Sequence, residues 1–549
     1  MTSIQQSELA NKIHSLSNIM VDTKDIFEKD ADARMEASIK FYRSFFKDLI
    51  FYLGYDEEKI REIWSSFFGD RDRIKFLAVD GTSYACKGKN FVTFFGGSFG
   101  VMGYLSRELL EYPDPSKFER TEGIVAYVPT PYSEIIIEGE NIEELPADNM
   151  ERVDLSAIHN KVMRLAELYL IFKLITKEDY PEYVLVDGSI SGLQMTLTRS
   201  FKTLNLNLKL GDRQIEKNDL DQAHIHPTCP DLNQPSLVRK FKKPPLDDEL
   251  WQNLKEKMIK RCTLLFDENN SKALYETYQE KNIIKQKWLT SDDFDFLSLI
   301  ALYAIVEECW KKNILLTSVS KDSGVSYMTK KYLRVCKFLD EPPYSTLDKI
   351  PPIMWTDALY FDAISDAVTL TTPWSTIEYD SVFATLQIGE DVRTGKEYLT
   401  GIQHKFLSPD RLFVKSCAQF YRFSEEGMGS EIVTIDRLVY PEDLKSIKKT
   451  TINLAGAEGE MPFEFVFFRD ENSENRLQRL NAYLLHKLCL NKNVEAFGYP
   501  HPIFMADKLA KNFLDLVKPM IHCGNDVFFR HPKHWTMRQK RTAVESVRR

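Results

Sequence analysis

The alternation of apolar and polar positions predicts short strands separated by one long helix. Residues 74–79, 90–95 and 183–186 form short apolar runs, and each is followed within two residues by glycine, which turns the chain easily. Between the second and third runs, residues 154–176 carry apolar side chains at three- and four-residue steps, the spacing of an amphipathic helix. The pattern therefore predicts an α/β fold with a sheet flanked by helices.

Changes in composition and in apolar spacing along the chain predict how it is divided into segments. Residues 1–70 have helical spacing of apolar positions, whereas a proline-containing polar stretch followed by charge-rich helical sequence is typical of an insertion. We divide the chain into a helical N-terminal segment (1–70), the first part of an α/β core (71–203), a mostly helical insertion (204–312), the second part of the core (313–520) and a basic C-terminal tail (521–549).

The composition is that of an ordinary globular protein, with 43% hydrophobic and 28% charged residues. No run of about 18 apolar residues could span a bilayer, and the N-terminal sequence lacks the basic and apolar regions of a secretory signal. We therefore expect a soluble, cytoplasmic protein without membrane contact. The eight cysteines include no C-x-x-C pair, which argues against a zinc ribbon and against a disulfide framework.

The net charge of −9 does not by itself indicate nucleic-acid binding, because proteins that neutralise many phosphates usually carry a basic face. Local basic stretches can supply phosphate contacts while the total charge stays negative. The candidates are residues 239–243, Lys330–Lys331 and 530–549.

Two segments share one pattern that could carry chemistry. An apolar run leads to Asp80-Gly81-Thr82-Ser83, and another leads to Asp187-Gly188-Ser189. An Asp at the carboxyl end of a buried strand, followed by a turn at Gly, faces a crevice of the sheet. Asp-Gly is also a common hairpin signal, so a purely structural turn is the competing interpretation for each motif.

Glu167 strengthens the functional interpretation, because it lies within the apolar part of the predicted long helix. A buried carboxylate is costly unless it is paired or binds a cation. The alternative is that Glu167 lies on the solvated edge of the helix or pairs with Arg164. Three carboxylates from two strand ends and a helix suit Mg²⁺ or Mn²⁺, which prefer hard oxygen ligands and can promote phosphodiester hydrolysis.

The order of these motifs resembles the NurA nuclease family. In that family two strands ending in Asp-Gly-Ser flank a helix with a Glu, a later strand leads to a Lys, and a Gly-Tyr-Pro-x-Pro segment precedes a helix. The corresponding residues here are Asp80, Glu167, Asp187, Lys321 and Tyr499. The resemblance is good over residues 76–200, 314–332 and 464–511. It implies that Tyr499 lies beside the site and that Lys321 contacts phosphate, against the simpler interpretations of aromatic packing and a solvated lysine.

The sequence departs from the family at one position, where Asp507 stands in place of the usual histidine. An Asp can still bind a hard cation, so the resemblance places Asp507 among the metal ligands, but the proton-carrying role of a histidine would be lost. The neighbouring His501 is a less favoured substitute for it.

The resemblance implies an RNase H-like core, a homodimer, and cleavage of DNA with Mn²⁺ or Mg²⁺. It also implies a partner, a hexameric HerA-type ATPase. The sequence has no phosphate-binding loop of its own, so any motor activity would come from another chain. The biological setting would be DNA end processing in repair or antiviral defence. Two alternatives stay open: another RNase H-like nuclease, and a catalytically degenerate structural partner of the ATPase ring.

Overall fold

The computed structural model describes residues 3–528 except 88–90, 107–109, 112–120, 132–134, 139–157, 198–203, 205, 208, 211–212, 215–247, 281–282, 322–323, 341–343, 348, 402–411, 423–428, 457–458, 469–474 and 490–496. Two of the predicted basic stretches, 239–243 and 530–549, lie outside the described residues.

Most of the described strands belong to one large mixed sheet. In chain order the strands are β1 (Ile50–Tyr52), β2 (Arg73–Lys87), β3 (Phe91–Ser106), β4 (Leu110–Glu111), β5 (Thr121–Pro131), β6 (Ile135–Glu138), β7 (Tyr183–Asp187), β8 (Lys209–Leu210), β9 (Arg213–Gln214), β10 (Tyr275–Glu280), β11 (Ile283–Trp288), β12 (Leu315–Ser320), β13 (Trp374–Thr376), β14 (Tyr379–Asp380), β15 (Leu386–Glu390), β16 (Glu397–Gly401), β17 (Phe413–Gln419), β18 (Val433–Leu438), β19 (Ile447–Gly456) and β20 (Gly459–Phe468).

The centre of the large sheet is parallel and its flanks are antiparallel. β7 lies between β2 and β12 and runs parallel to both, while β3 pairs antiparallel with β2, and β18 pairs antiparallel with β12. The pairing of β2 with β7 aligns Phe76 with Tyr183 and ends where Val79 meets Val186. Beyond Val79, β2 therefore has an edge that β7 does not cover, and β7 ends close to it.

Ten α-helices are described alongside these strands. They are α1 (Ser3–Ser44), α2 (Glu57–Phe68), α3 (Ile158–Ile175), α4 (Ile190–Leu197), α5 (Asp248–Cys262), α6 (Ser291–Lys312), α7 (Leu333–Phe338), α8 (Asp357–Val368), α9 (Arg476–Leu488) and α10 (His501–Phe528). Short 3₁₀ or π-helical segments are Phe46–Leu49, Thr263–Asp267, Ser271–Leu274, Tyr327–Tyr332, Tyr344–Thr346, Ser381–Thr385 and Pro441–Ser446.

Two helices sandwich β2 and β3. α3 packs on the face where Gly81 and Gly96 lie, and α10 covers the opposite face, where the Phe513 ring lies 5.0 Å from Phe99 and 6.3 Å from Phe95 between centroids. α6 lies beside α3 and is buried in the same hydrophobic core. The predicted α/β class, a mixed sheet flanked by helices, is confirmed; the RNase H-like assignment and the segment boundaries stay predictions.

The predicted strand ends at Asp80-Gly81 and Gly96-Gly97 are wrong. β2 continues from Arg73 to Lys87, and β3 runs through both glycines, with Asp80 opposite Phe99. The physical reason is close packing rather than turning. A Cβ atom at Gly81 would lie 2.6 Å from Met163 Cγ, and one at Gly96 would lie 2.8 Å from the backbone nitrogen of Met163, so these glycines admit α3. Only the second motif turns the chain, with Gly188 at a φ of +85°.

The predicted long helix and the strand at 183–186 are present as α3 and β7. The sequence missed β1, a three-residue strand within the predicted helical N-terminal segment, which pairs with β13. Within the predicted insertion the described residues include α5, α6, the short antiparallel pair of β8 and β9, and the hairpin of β10 and β11.

A second hydrophobic core is rich in aromatic side chains. It joins the end of α1 to α7, α8 and the strands β13, β14 and β17. Earlier in α1, by contrast, apolar side chains such as Met20 and Phe27 are exposed. None of the helices in the described part of the chain combines the length and the apolar character needed to cross a bilayer.

Candidate active site

Asp80 lies in the middle of β2, at the point where pairing with β7 has ended. Its side chain is only 9% exposed, and its Oδ1 accepts a hydrogen bond of 2.7 Å from the backbone N–H of Gly81. Ser98 of β3 donates to the backbone carbonyl of Asp80 at 3.2 Å. The strand, rather than a flexible turn, therefore fixes this carboxylate.

Glu167 of α3 reaches the same place because position 81 has no side chain. A Cβ atom at Gly81 would lie 2.4 Å from Glu167 Oε1, a separation that two non-bonded atoms cannot adopt. The backbone N–H of Gly81 also donates toward the Glu167 carboxylate. Glycine at position 81 thus lets a helix on one face of the sheet bring its carboxylate beside Asp80.

Asp187 ends β7, next to the uncovered edge of β2. The Tyr499 hydroxyl donates a hydrogen bond of 2.5 Å to Asp187 Oδ1. The same hydroxyl lies 3.2 Å from the carbonyl oxygen of Val319 at the end of β12. The Lys321 ammonium lies 5.0 Å from the centre of the Tyr499 ring. Tyr499 and Lys321, both predicted from sequence, are therefore brought to the Asp187 side of the group.

Asp507 comes from α10, on the face of the sheet opposite α3. Its charge contributes to raising the pKa of Asp80, and its Oδ2 accepts a hydrogen bond of 2.7 Å from Lys511, one helical turn later. The four predicted metal-binding carboxylates thus approach each other from β2, α3, β7 and α10, elements that lie up to 427 positions apart in the chain (507 minus 80). We call Asp80, Glu167, Asp187 and Asp507 the carboxylate group.

Burial and the neighbouring acids both raise the pKa values of two of these carboxylates. Burial and then the charge of Asp187 raise the pKa of Asp80 to about 7, although the Gly81 hydrogen bond acts in the opposite direction. Burial and then the charge of Asp80 raise the pKa of Glu167 to about 8, against the opposing effect of Arg164. A group of acids that resists full ionisation is stabilised by a proton or by a cation placed among them.

The donor set fits a divalent metal in chemistry, although it is not a closed cage. Every member offers carboxylate oxygens, which Mg²⁺ and Mn²⁺ prefer. Within the described part of the chain, no three Asp, Glu, His or Cys side chains already stand at the spacing of a complete metal site. The raised pKa values of Asp80 and Glu167 and the open edge of β2 are the features of this group that a cation would complement.

A buried lysine beside the group was missed by the sequence analysis. Lys415 of β17 is 1% exposed, and its ammonium donates to Asp436 Oδ1 at 2.5 Å and to Ser189 Oγ at 3.1 Å. Asp436 also accepts from the hydroxyls of Ser189 at 2.7 Å and Ser191 at 2.8 Å. This network holds the turn after Asp187. The sequence signals that could have revealed this network are a Lys within the apolar run at 413–419 and an Asp-Arg pair within the apolar run at 433–438.

His501, the less favoured substitute for the family histidine, begins α10. Its ring packs beside Phe504 with centroids 6.1 Å apart, and burial lowers the pKa of the imidazole. The neutral form is therefore favoured at physiological pH.

A family model described as the NurA domain matches residues 75–512, which is most of the chain. The chain therefore belongs to the NurA-domain family, and the resemblance drawn from the sequence motifs is confirmed. No curated protein sequence matches the chain.

Solved structures similar to the chain carry NurA in their descriptions. The NurA nuclease from Sulfolobus solfataricus is 12% identical, with a TM-score of 0.35 over 93% of this chain and 98% of that one. NurA with manganese is 12% identical, with a TM-score of 0.28 over 78% and 87%. NurA bound to dAMP and manganese is 11% identical, with a TM-score of 0.27 over 92% and 93%. These scores are too low to support conclusions about the site.

Proposed function

We propose that this protein is a metal-dependent nuclease that hydrolyses DNA phosphodiester bonds with Mn²⁺ or Mg²⁺. The observation that supports the proposal most is the carboxylate group itself, in which four acids from four elements meet at the open edge of β2. The raised pKa values of Asp80 and Glu167 support it further, since such shifts concentrate at functional sites. Membership of the NurA-domain family points to the same chemistry.

In this proposal Asp80, Glu167, Asp187 and Asp507 hold the metal. A bound divalent ion would activate water and stabilise the charge that develops on the phosphate oxygens. Asp507 stands where the family usually has histidine, so the protein supplies an additional anionic ligand at that position and loses a proton carrier. We expect this difference to alter metal preference rather than to abolish binding.

Tyr499 and Lys321 would support the reaction without binding the metal. Tyr499 orients Asp187 through the 2.5 Å hydrogen bond, and this contact supports a positioning role for the phenol. The Lys321 ammonium beside the Tyr499 ring could pair with a phosphate of the substrate. Lys511 holds Asp507, which limits the repulsion between Asp507 and Asp80.

We also propose that the protein works as a homodimer with a HerA-type hexameric ATPase, in DNA end processing or in antiviral defence. The support is indirect: the family resemblance, and the absence from the sequence of a phosphate-binding loop that could drive DNA movement. The alternative of a catalytically degenerate partner rests on Asp507, which replaces the family histidine.

The test is cleavage of end-labelled linear DNA by the purified protein with Mn²⁺, Mg²⁺ or EDTA, with and without the ATPase. Asp80→Asn and Asp187→Asn should each reduce cleavage at least about 1000-fold, on the order of 4 kcal/mol of transition-state stabilisation. Asp179→Asn is the matched control, because Asp179 is 84% exposed and lies outside the site.

Asp507→Asn, compared with Asp515→Asn on the same helix, tests the family substitution. Asp515 is 72% exposed and pairs with Lys518, so its variant should cut DNA normally. If wild type cuts no DNA with either metal and the ATPase, the degenerate-partner alternative replaces the nuclease proposal.

A further inference from the structure

Trp355 is the one exposed tryptophan among the described residues. Its exposed fraction is 60%, whereas Trp64, Trp251, Trp310 and Trp374 are all buried. A large aromatic ring left in water forgoes the stabilisation that burial would bring, so such a position is informative. Trp355 lies in the segment between the 3₁₀ turn Tyr344–Thr346 and α8.

The backbone around Trp355 is tightly held on both sides. Just before it, the backbone N–H of Met354 donates to Ser38 Oγ of α1 at 3.1 Å. Just after it, the buried carboxylate of Asp357 accepts from the backbone N–H groups of Met328 at 2.8 Å and Thr329 at 3.0 Å. The exposed ring is therefore presented from a fixed backbone rather than from a loose loop.

Two cations flank the Trp355 ring. The guanidinium of Arg34 lies 4.2 Å from the ring centre, and the ammonium of Lys330 lies 5.0 Å from it. Each is itself held, since Lys330 donates to the carbonyl of Trp355 at 2.8 Å and Arg34 pairs with Asp30 at 2.7 Å. We call Trp355, Arg34 and Lys330 the Trp355 platform.

The platform is linked to the candidate active site by a short chain of contacts. Lys330 belongs to the helical segment Tyr327–Tyr332, and the Tyr327 ring lies 5.4 Å from the ammonium of Lys415. Lys415 in turn donates to Ser189, two residues after Asp187. This segment thus contributes Lys330 to the platform, while its Tyr327 borders the Lys415 network that holds the turn after Asp187.

We propose that the Trp355 platform binds single-stranded nucleic acid, with an unpaired base stacking on the Trp355 ring or on the Arg34 guanidinium and the adjacent phosphate meeting Lys330. An aromatic ring beside Arg and Lys is the combination that sequence-independent single-strand binding uses. The inference rests on the proposed function for its substrate class, and it adds an unpaired strand as the form of substrate that the platform holds.

A duplex is a poorer match for the platform than an unpaired strand. Bases inside a duplex stack on each other, so their faces are not available to a protein ring, whereas every unpaired base offers one. A protein partner could also cover an exposed Trp, but the Lys330 ammonium, which a backbone carbonyl holds at the ring, favours an anionic ligand. Protein docking is therefore kept as an outcome of the test.

The experiment measures binding in EDTA, so that cleavage plays no part. Full-length protein is titrated into a fluorescently labelled thymidine oligonucleotide of about 12 nucleotides, within the span of a single-strand binding site. The same titration uses an abasic oligonucleotide with an identical phosphate backbone. The variants are Trp355→Ala, Trp355→Phe and Tyr52→Ala, the last as a matched control because Tyr52 is an exposed aromatic residue at 55%.

We expect Trp355→Ala to weaken binding of the thymidine oligonucleotide about 5- to 100-fold, the range for loss of one stacked base. Trp355→Phe should retain most of the affinity, and Tyr52→Ala all of it. For the abasic oligonucleotide, Trp355→Ala should bind as wild type does, whereas Lys330→Gln should weaken both ligands. Thermal melting of each variant checks that the fold is retained.

Two results would overturn the inference while leaving the nuclease proposal intact. One is unchanged affinity of Trp355→Ala for the thymidine oligonucleotide in a wild type that cuts DNA, which would favour a protein contact at this surface. The other is an equal loss for the thymidine and abasic oligonucleotides. A wild type that neither binds either oligonucleotide in EDTA nor cuts DNA with metal would overturn both proposals.

Discussion

Two groups of buried charge lie on the same large sheet, and they are built in opposite ways. In the first, Arg437 of β18 is fully buried and forms paired contacts with Glu378 at 2.7 and 2.8 Å and with Asp443 at 2.8 Å. In the second, the carboxylate group, four acids crowd together, with Lys511 bound only to the outermost of them, Asp507. We call the first the arginine network.

The difference lies in how far opposite charges compensate each other. The arginine network satisfies the fork of the guanidinium with two carboxylates, so its charges stabilise each other within the fold. The carboxylate group leaves acids facing acids at the open edge of β2, where burial and then the charge of Asp187 raise the pKa of Asp80. Burial also raises the pKa of Glu378, but there the charge of Arg437 acts in the opposite direction. A cation bound among the acids of the carboxylate group would reduce the repulsion between them. Four changes test this contrast.

The largest effect is expected in the arginine network. Arg437→Met leaves Glu378 and Asp443 buried without their shared partner, and it should lower the free energy of unfolding by about 3–5 kcal/mol. Urea unfolding measures the loss. Arg476→Met is the control, since Arg476 is 50% exposed and pairs with Glu62 at the surface; it should change stability by less than about 0.5 kcal/mol. Similar losses in both variants would contradict the contrast.

Neutralising a charge in the carboxylate group should raise the free energy of unfolding, whereas the change in the arginine network lowers it. At pH 8 and without metal, Asp80→Asn removes one repelling charge, and the amide oxygen can still accept from Gly81. We expect a gain of about 1–3 kcal/mol in the free energy of unfolding. Asp179→Asn serves as the exposed control. A destabilised Asp80→Asn protein would mean that the ionised carboxylate is compensated by contacts within the fold.

Tyr499→Phe should cost activity more than stability. The variant removes the hydroxyl that orients Asp187, and we expect kcat/KM for cleavage to fall about 10-fold, equal to about 1.4 kcal/mol. Tyr84→Phe is the control, because the Tyr84 hydroxyl contacts His522 at 3.0 Å instead of the carboxylate group. Equal activity of wild type and Tyr499→Phe would remove the positioning role from the phenol.

The fourth effect is a dependence of stability on pH rather than on sequence. The folded pKa values of about 7 for Asp80 and about 8 for Glu167 lie above the usual values, so the folded state holds protons that the unfolded chain has released. This contribution is present in full below about pH 4 and is lost as the pH rises through 7 and 8. Metal-free protein should therefore lose about 1 kcal/mol or more over that range.

The control for the pH dependence is the double variant Asp80→Asn with Glu167→Gln, whose unfolding should lack this component. Mn²⁺ should restore the stability of wild type at high pH, because metal binding requires ionised carboxylates. Stability of the metal-free wild type that rises steadily between pH 5 and pH 8 would contradict the shifted pKa values.

The sequence pattern identified Asp80 and Asp187 as candidate site residues, but it did not predict the local structure that holds each of them. Asp80 and Asp187 share an apolar run followed by Asp-Gly, and that pattern identified both. Yet Gly188 turns the chain, whereas Gly81 lies within a strand and gives room to α3. A glycine that allows a turn and one that allows close packing have the same local sequence. Only the contact with a helix some 80 positions later, at Met163 and Glu167, distinguishes them.

Other parts of the site were beyond local pattern. Lys415 and Asp436 become partners because β17 and β18 are adjacent strands, and register between strands is not encoded within either one alone. Trp355 has an ordinary sequence setting, and its exposure depends on how α1 and α8 meet around it. Long-range packing decides both features, so a single sequence without its fold could not identify them.

The distribution of the carboxylate group along the chain also bears on how the protein is made. Asp80 leaves the ribosome early, whereas Tyr499 and Asp507 are supplied by the last described segment, on and just before α10. Domains form from the N-terminal side during synthesis, but this site cannot be completed until residues near 507 have emerged and α10 has packed against β2. A nascent or prematurely terminated chain that lacks α10 would therefore lack a complete carboxylate group.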